Sequence, residues 1–185
     1  MYDSNPMRET ILDAAEKRIR LVGYNAFSFR DLAEDVGIRS ASIHYHFPQK
    51  VDLGVHLVIR YTERFRLQLE RFDRNDLMGS LDQFFKLYSD ALIVGEQVCL
   101  CAVLAAETMS LPPTLRDKVK DFFNLNLNWL NDLNAQHNLS KTAPRPIEVL
   151  TCLEGAMTIA NAMGDKKLLT NVIADYKKRY RALIN

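Results

Sequence analysis

The chain has 185 residues, of which 48% are hydrophobic and 25% are charged, a composition that fits a packed globular protein and argues against disorder. The formal net charge of +1 neither indicates nor excludes a nucleic-acid partner, because only the field at the contact surface matters. Glycine and proline are scarce, with 7 and 6 residues, which favours long helices over many tight turns.

The cysteine count and the apolar runs predict where the protein works. Three cysteines, an odd number, occur without a secretory signal, which predicts a reducing, cytoplasmic setting. The longest apolar run, residues 98–106, has about half the length that crosses a bilayer. Glu96 and Glu107 flank this run, so we interpret it as a buried helix and expect no membrane partner.

The first 48 residues predict three helices. An apolar face of Ile11, Leu12, Ala15, Ile19 and Val22 predicts a helix over residues 7–22, which Gly23 ends. Ser28 and Asp31 form a capping-box pair for a second helix of two turns, and Gly37 ends that helix. Ser40 is expected to cap a third, short helix over residues 40–46, which Pro48 closes.

The rest of the chain predicts helices only. Apolar periodicity marks segments at 49–72, 80–94, 96–110, 114–135, 147–163 and 167–183. Residues 137–146 form the clearest loop. No segment alternates with a period of two over a useful length, so the sequence predicts an all-α protein with about nine helices. The natural boundary lies near Pro48, where the three-helix unit ends.

Residues 28–50 concentrate polar side chains that a protein core does not need. Two short helices that are joined by a turn containing glycine and packed on a third form a helix-turn-helix unit. The second helix of such a pair enters the DNA major groove, while Ile43 should face the core. The predicted DNA contacts are Ser28, Arg30, Arg39, Ser40, Ser42, His44, Tyr45, His46 and Lys50. The alternative is a polar surface turn that binds nothing.

The run FSFRDLAEDVGIRSASIHYHFPQKVDL, residues 27–53, resembles the N-terminal signature of the TetR/AcrR family of bacterial transcriptional regulators. His44 stands where many members carry tyrosine. The resemblance implies a homodimer that binds an operator, usually as a repressor, and releases it when a small ligand occupies the C-terminal domain. Its two recognition helices should lie about 34–36 Å apart, or a multiple of that distance, on a palindromic site. Residues 1–48 would form the DNA-binding domain, and residues 49–185 the effector-binding and dimerisation domain.

The C-terminal segments supply candidates for the two other functions that the resemblance implies. Small residues on the last two helices allow close packing of a four-helix dimer interface; the candidates are Gly155, Ala156, Ile159, Ala160, Met163, Leu169, Val172 and Tyr176. The effector pocket should be mostly apolar; its candidate wall residues are Tyr61, Phe65, Phe84, Tyr88, Cys99, Leu104, Met109, Phe123 and Trp129. Both sets also fit ordinary core packing.

Cys99 supports an alternative mode of regulation. The segment CLCAVLAAE resembles a C-L-x-x-x-L-A-A-E run in a subgroup of the family, some members of which sense electrophiles or oxidants through this cysteine. The alternative function is therefore a cysteine-based electrophile- or redox-sensing repressor. On a continuous helix Cys99 and Cys101 point apart, so they form no unstrained disulfide.

The sequence gives less support to two other classes of function, an enzyme and a protein-interaction module. No nucleophile elbow, phosphate loop or zinc signature occurs in the sequence, so we expect no enzymatic activity and no cofactor. The histidines lack chelating spacing, so we expect no metal. A protein-interaction module that has lost DNA binding remains the third possibility, after a regulator and an enzyme.

Overall fold

The computed structural model describes residues 5–139 and 141–184. Ser140, in the predicted loop 137–146, lies outside the described residues, as do residues 1–4 of the predicted first domain and residue 185 of the second. The described part of the chain contains helices and no strand, so the all-α prediction is confirmed. Its α-helices are α1 Pro6–Val22, α2 Phe29–Val36, α3 Ser40–His46, α4 Lys50–Leu69, α5 Leu77–Ile93, α6 Leu100–Ala106, α7 Pro113–Gln136, α8 Pro146–Met163 and α9 Lys167–Arg181. A short 3₁₀ turn, Thr108–Ser110, follows α6.

Local capping explains where the N-terminal helices begin and end. The Ser28 hydroxyl accepts the Asp31 N–H at 3.3 Å, and the Asp31 carboxylate accepts the Ser28 N–H at 2.7 Å, so the predicted capping box is confirmed. Gly37 ends α2 at a φ of 75°, a left-handed conformation that favours glycine. The predicted cap at Ser40 is wrong, because Arg39 has the extended backbone of a cap residue and Ser40 is already helical.

The segment between α5 and α6 departs from the predicted helix over 96–110. The chain is not helical from Gly95 to Cys99, and Glu96 has a positive φ of 52°. Contacts with the C-terminal helices hold this segment: the Lys166 ammonium donates to the Ile93 carbonyl at 3.2 Å, and the Cys99 N–H donates to Met157 Sδ at 3.1 Å. Tertiary contacts therefore override the local helical pattern here, and α6 begins only at Leu100.

The helices group into two compact units. The first contains the described residues up to Glu63 together with Leu100–Phe122, and the second contains Arg64–Cys99 together with residues from Phe123 onward. The domain boundary near residue 48 stays a prediction.

Buried apolar side chains from α1, α2 and α3 belong to the core of the first unit. The side chains of Leu12, Leu32 and Ile43 are fully buried, so the prediction that Ile43 faces the core is confirmed. Burial of each such side chain contributes about 1.5–3 kcal/mol. Together they fix α3 on α1 and α2, which sets the direction in which the polar side of α3 points.

The second unit is built on aromatic packing. The rings of Phe84 and Trp129 stack with centroids 5.0 Å apart and an angle of 6° between their planes, and Phe72 meets Trp129 edge-on at 5.9 Å. Inside the same unit the Tyr88 hydroxyl donates to Asn126 Oδ1 at 3.1 Å. This bond supplies a partner to polar groups that would otherwise be costly to bury.

Candidate nucleic-acid interface

The α2–α3 pair presents a polar surface over a buried apolar seam. Gly37 reverses the chain between the two helices, and Phe29 is buried. Ser28, Arg30 and Arg39 are exposed at the helix starts. The short helix α3 is therefore held from one side while its other side faces outward, as a helix that enters a groove requires.

The residues predicted to contact DNA all have some exposure. Ser28, Arg30, Arg39, His44 and Tyr45 are exposed, and Ser40, Ser42, His46 and Lys50 are half-buried. Tyr45 is 82% exposed, although large aromatic side chains are usually buried on average. An exposed aromatic ring among small polar side chains is typical of a surface that binds a partner.

A shallow cavity brings five of the predicted contact residues together. Its volume is about 460 Å³, and its walls include Phe27 and Phe29. The predicted residues that line it are Ser28, Arg30, Ser40, His44 and Lys50. Arg39, Ser42, Tyr45 and His46 do not line it. The cavity therefore joins the start of α2, the start of α3 and the start of α4, which the sequence alone did not place side by side.

His44 is held in a defined orientation at the edge of this cavity. Its ring meets the Phe29 ring edge-on, with centroids 4.8 Å apart. Its Nδ1 atom lies 3.3 Å from the Pro48 carbonyl oxygen, so the tautomer with the proton on Nδ1 donates to that oxygen. Next to it, the Tyr45 and His46 rings meet edge-on at 5.1 Å. These contacts limit the rotamers of the three ring side chains of α3.

Lys50 is turned toward the protein rather than extended into solvent. Its ammonium donates to the Phe27 carbonyl and lies 4.1 Å from the Phe27 ring centroid and 4.8 Å from that of Tyr24. Burial lowers the pKa of Lys50, and the charges of Glu107 and Asp31 act in the opposite direction. Sequence reasoning did not anticipate this inward placement, because the partners of Lys50 come from a distant part of the chain.

Arg30 is free to reorient toward a ligand. Its guanidinium pairs with Glu34 at 3.4 Å on the surface of α2, and an exposed pair of this kind contributes only about 0–1 kcal/mol. Ser28 is more constrained, because its hydroxyl donates to Asp31 Oδ2 at 2.8 Å. Donation from Ser28 to a phosphate therefore requires the hydroxyl to rotate away from the capping box.

The predicted wall residues of the effector pocket are divided between the two units. In the second unit Phe84 stacks on Trp129, and Phe65 meets Tyr88 edge-on at 5.9 Å. Phe123 is half-buried in the same unit. Cys99 also belongs to the second unit. The three remaining members belong to the first unit; they are Tyr61, which packs on Phe122, Leu104, which is buried, and Met109, which is 95% exposed on the 3₁₀ turn.

Cys99 lies beside a carboxyl group. The thiol is buried and lies next to the side chain of Glu154. Burial raises the pKa of Glu154 to about 7, and the Cys99 contact lowers it in part. Cys99 precedes α6 instead of lying within it, so the argument that it diverges from Cys101 on one continuous helix does not hold.

The residues predicted for dimerisation divide by burial. Gly155, Ala156, Ile159 and Met163 lie with Cys152 on one face of α8, where Ile159 and Met163 are 55% and 70% exposed. The remaining members face inward to different extents; Ala160, Leu169 and Tyr176 are buried within the second unit, and Val172 is half-buried. Val172 is half-buried like Gly155 and Ala156, so the largest exposed apolar side chains among the candidates are Ile159 and Met163.

Together the fold and the exposed α3 define a helix-turn-helix protein of the kind that binds DNA. A family model described as "Bacterial regulatory proteins, tetR family" matches residues 11–56. A TetR transcriptional regulator from Legionella pneumophila, known from its crystal structure, is 30% identical, with 96% of this chain and 98% of that chain covered and a TM-score of 0.82. The chain therefore belongs to the TetR family of transcriptional regulators, and the resemblance seen in the sequence is confirmed.

Other solved structures are also similar to this chain. A transcriptional regulator of the TetR family from Agrobacterium tumefaciens is 28% identical, with 95% of this chain and 98% of that chain covered and a TM-score of 0.86. The reduced form of NemR from E. coli, at 18% identity, with 92% and 95% covered and a TM-score of 0.74, shows the same fold. A comparison with curated protein sequences finds no significant match.

Two further properties concern the described residues alone. Among their helices, none combines the length and the apolar character that crossing a membrane requires. Over residues 5–139 and 141–184, no three histidine, cysteine or carboxylate side chains are grouped so that they could hold a metal ion.

Proposed function

We propose that this TetR-family regulator is a repressor that binds a palindromic operator as a homodimer in the cytoplasm and is released by a small-molecule effector. The observation that carries the proposal is the cavity that joins the starts of α2, α3 and α4. It places the Arg30 and Lys50 cations beside the Ser40 hydroxyl and the His44 ring. Cations and short hydroxyl donors together are the groups that hold a DNA phosphate.

In the proposed complex, residues of the cavity bind the DNA phosphate backbone, and α3 contacts base edges in the major groove. Phosphate contacts fix the register of a protein on DNA, and contacts to base edges supply specificity. Arg39, Ser42 and Tyr45 lie outside the cavity on the turn and on α3, and we assign them to the major groove. Arginine is suited to a guanine edge there. Ser28 and His46 complete the proposed contact set at its margins.

We assign the dimer interface to the exposed face of α8. Cys152, Gly155, Ala156, Ile159 and Met163 form a stripe of small and apolar side chains. Glycine and alanine allow the axes of two helices to approach closely, and the larger side chains fill the margins of the contact. A symmetric contact through this face gives a twofold dimer, which matches the symmetry of a palindromic operator.

We assign the effector site to the interior of the second unit. Phe65, Phe84, Tyr88 and Trp129 form an aromatic cluster with one internal polar pair, Tyr88 and Asn126. Effector sites are mostly apolar with a few precisely placed polar groups, and this cluster has that composition. A ligand that enters it must displace some of these ring contacts, so binding and conformational change are linked.

A mobility-shift titration with the DNA upstream of its own coding region tests DNA binding. We expect a shift, and we expect the affinity of the protein for DNA to fall steeply as the salt concentration rises, because phosphate contacts release counterions. Tyr45→Ala should weaken the shift by about tenfold. The matched control is Leu21→Ala, because Leu21 is 83% exposed in the same unit and does not line the cavity. Equal behaviour of the two variants, or an unshifted duplex at low salt, would refute the proposal.

The alternative function is electrophile sensing through Cys99. The observation that favours it is the contact with Glu154, since a carboxyl with a pKa near 7 can accept the thiol proton at neutral pH. N-ethylmaleimide should then release DNA from the parent and from Cys152→Ser, but not from Cys99→Ser. Retention of DNA by the alkylated parent would exclude this alternative and leave a non-covalent effector.

A further inference from the structure

Glu107 joins the end of α6 to the turn between α1 and α2. Its Oε1 atom accepts the Tyr24 N–H at 2.8 Å, and its Oε2 atom accepts the Asn25 N–H at 3.2 Å and the Asn25 side-chain amide at 2.8 Å. One carboxylate thus satisfies two consecutive backbone donors and a side-chain donor that lie more than eighty residues away. Hydrogen bonds to an ionised acceptor are about twice as strong as neutral ones.

Neighbouring residues leave space for the Glu107 carboxylate and add hydrogen bonds around it. Gly23 has a φ of +87°, and a Cβ atom at this position would lie 2.3 Å from Glu107 Oε1. The Asn25 amide also donates to Ser110 Oγ at 2.8 Å, and the Ser110 hydroxyl donates to the Glu107 carbonyl at 2.9 Å. We call the set Gly23, Tyr24, Asn25, Glu107 and Ser110 the Glu107 clasp. All its members belong to the first unit.

The clasp continues into the cavity that we assign to DNA. The Tyr24 ring and the Phe27 ring both lie against the Lys50 ammonium, which donates to the Phe27 carbonyl. Glu107 also acts on Lys50 through its charge, which opposes the effect of burial on the lysine. Phe27 and Lys50 line the cavity beside His44 of α3. A series of contacts therefore runs from the end of α6 to Phe27 and Lys50, in the wall of the cavity that the recognition helix also lines.

We propose that Glu107 is a positioning residue that couples α6 to the DNA-binding surface. With the clasp closed, the α1–α2 turn holds Phe27 and Lys50 in the arrangement that accepts a phosphate. A displacement of the end of α6 withdraws the carboxylate, releases the Tyr24 and Asn25 amides and loosens Lys50. The inference rests on the proposed function, because the surface that Glu107 positions is the one assigned to DNA there.

Two roles of the Glu107 contact can be distinguished by experiment: a contact that only stabilises the fold, and a contact that couples α6 to the DNA-binding surface. A stabilising contact changes the fraction of folded protein and leaves the affinity of the folded molecules for DNA unaltered. A coupling contact links the two ends reciprocally, so that DNA binding must also restrain α6. Amide hydrogen exchange measures this restraint directly, and it needs no knowledge of the effector.

The test compares the full-length parent, Glu107→Gln and Asp35→Asn by amide exchange, with and without duplex DNA from upstream of the coding region. Asp35 is the matched control, because its carboxylate also links two elements of the first unit, accepting from Arg18 at 2.5 Å. Asp35 makes no contact in the clasp. Each variant removes one negative charge, so a general electrostatic gain in DNA affinity affects both equally.

We expect DNA to slow amide exchange in Leu100–Ala106 of the parent and of Asp35→Asn, but not in Glu107→Gln. Glu107→Gln should also bind DNA about fivefold more weakly than Asp35→Asn. In the free protein it should speed exchange in Ser40–His46, which Asp35→Asn should leave unchanged. Equal exchange of Ser40–His46 in the two variants without DNA would overturn the proposal that Glu107 positions the DNA-binding surface. If the parent fails to bind DNA, the proposed function falls, and the free-protein exchange still decides whether Glu107 positions α3.

Discussion

The Arg60 guanidinium donates to Glu16 Oε2 at 3.3 Å, linking α4 to α1 beneath the surface of the first unit. Arg60 is only 8% exposed, and it also pairs with Glu9 and Asp13, each at 2.9 Å. Three carboxylates on one face of α1 therefore compensate a single buried cation. Of the three, only Glu16 is buried, and it also pairs with Arg20 at 2.8 Å.

We expect Arg60→Ala to lower the free energy of unfolding by about 1.5–3 kcal/mol, because it removes a buried cation that hydrogen-bonds to charged carboxylates. Urea unfolding followed by circular dichroism measures the change. Arg30→Ala is the control, since its exposed pair with Glu34 should contribute no more than about 1 kcal/mol. Similar losses in the two variants would show that the network around Arg60 is not energetically special.

Glu154 should make the protein less stable as the pH rises. Both of its carboxyl oxygens are buried, although other parts of the residue are accessible, and burial raises the pKa from 4.5 to about 7. The folded state therefore prefers the protonated acid. Its stabilising effect is fully present below pH 4.5 and is lost as the pH rises through 7. The loss should amount to about 3 kcal/mol, at 1.36 kcal/mol for each pH unit that separates the two pKa values.

Glu154→Gln isolates this effect, because glutamine stays neutral at every pH. We expect the variant to be more stable than the parent at pH 8, with a shallower decline in the free energy of unfolding between pH 5 and pH 8. Glu148→Gln is the control on the same helix. Arg179 lowers the pKa of Glu148 through a hydrogen bond, so its stabilising effect is present above pH 4.5 and lost only as the pH falls. A parent whose stability is flat from pH 5 to 8 would contradict the role given to Glu154.

Local patterns determined much of the fold. The apolar face at Ile11 and Ile19 placed α1, and the Ser28–Asp31 capping box placed α2. The start of α6 was not predictable in this way, because Lys166 and Met157 hold the preceding segment out of a helix from far along the chain. Periodicity reports which side of an element is apolar, and it carries no information on such distant partners.

In the candidate site too, features set by local sequence were predictable and features set by distant contacts were not. Local sequence identified the polar residues of α3, since their density is itself a local feature. It did not reveal that Lys50 turns inward onto Phe27 and Tyr24 or that Glu107 accepts the Tyr24 N–H. The first contact joins the α1–α2 turn to the start of α4, and the second joins the same turn to the end of α6. No composition or spacing signal in either segment distinguishes such a carboxylate from an ordinary surface glutamate.

Cys152 should report the proposed dimer interface without any added label. It is exposed on the α8 face beside Ala156 and Ile159, whereas Cys99 and Cys101 are buried. We expect a bismaleimide to cross-link two parent chains through Cys152 and to give no cross-linked dimer with Cys152→Ser. Ile159→Arg should abolish the cross-link and shift the protein to monomer in analytical ultracentrifugation, because it buries an unpaired charge. Met109→Arg is the control, since Met109 is 95% exposed outside that face. Dimers that persist in Ile159→Arg would place the interface elsewhere.

Lys50→Ala should weaken binding to operator and to random DNA by about the same factor. A lone ammonium contributes charge to a phosphate contact and carries no sequence information, so the ratio of the two affinities should stay constant while the salt slope falls by about one. The inward placement of Lys50 adds a second expectation: the variant also loses the Phe27 and Tyr24 contacts, and its melting temperature should fall. Lys50→Met keeps most of the side-chain packing and removes the charge, so it should reproduce the DNA defect with a smaller thermal effect. A change confined to operator binding would instead assign Lys50 to base recognition.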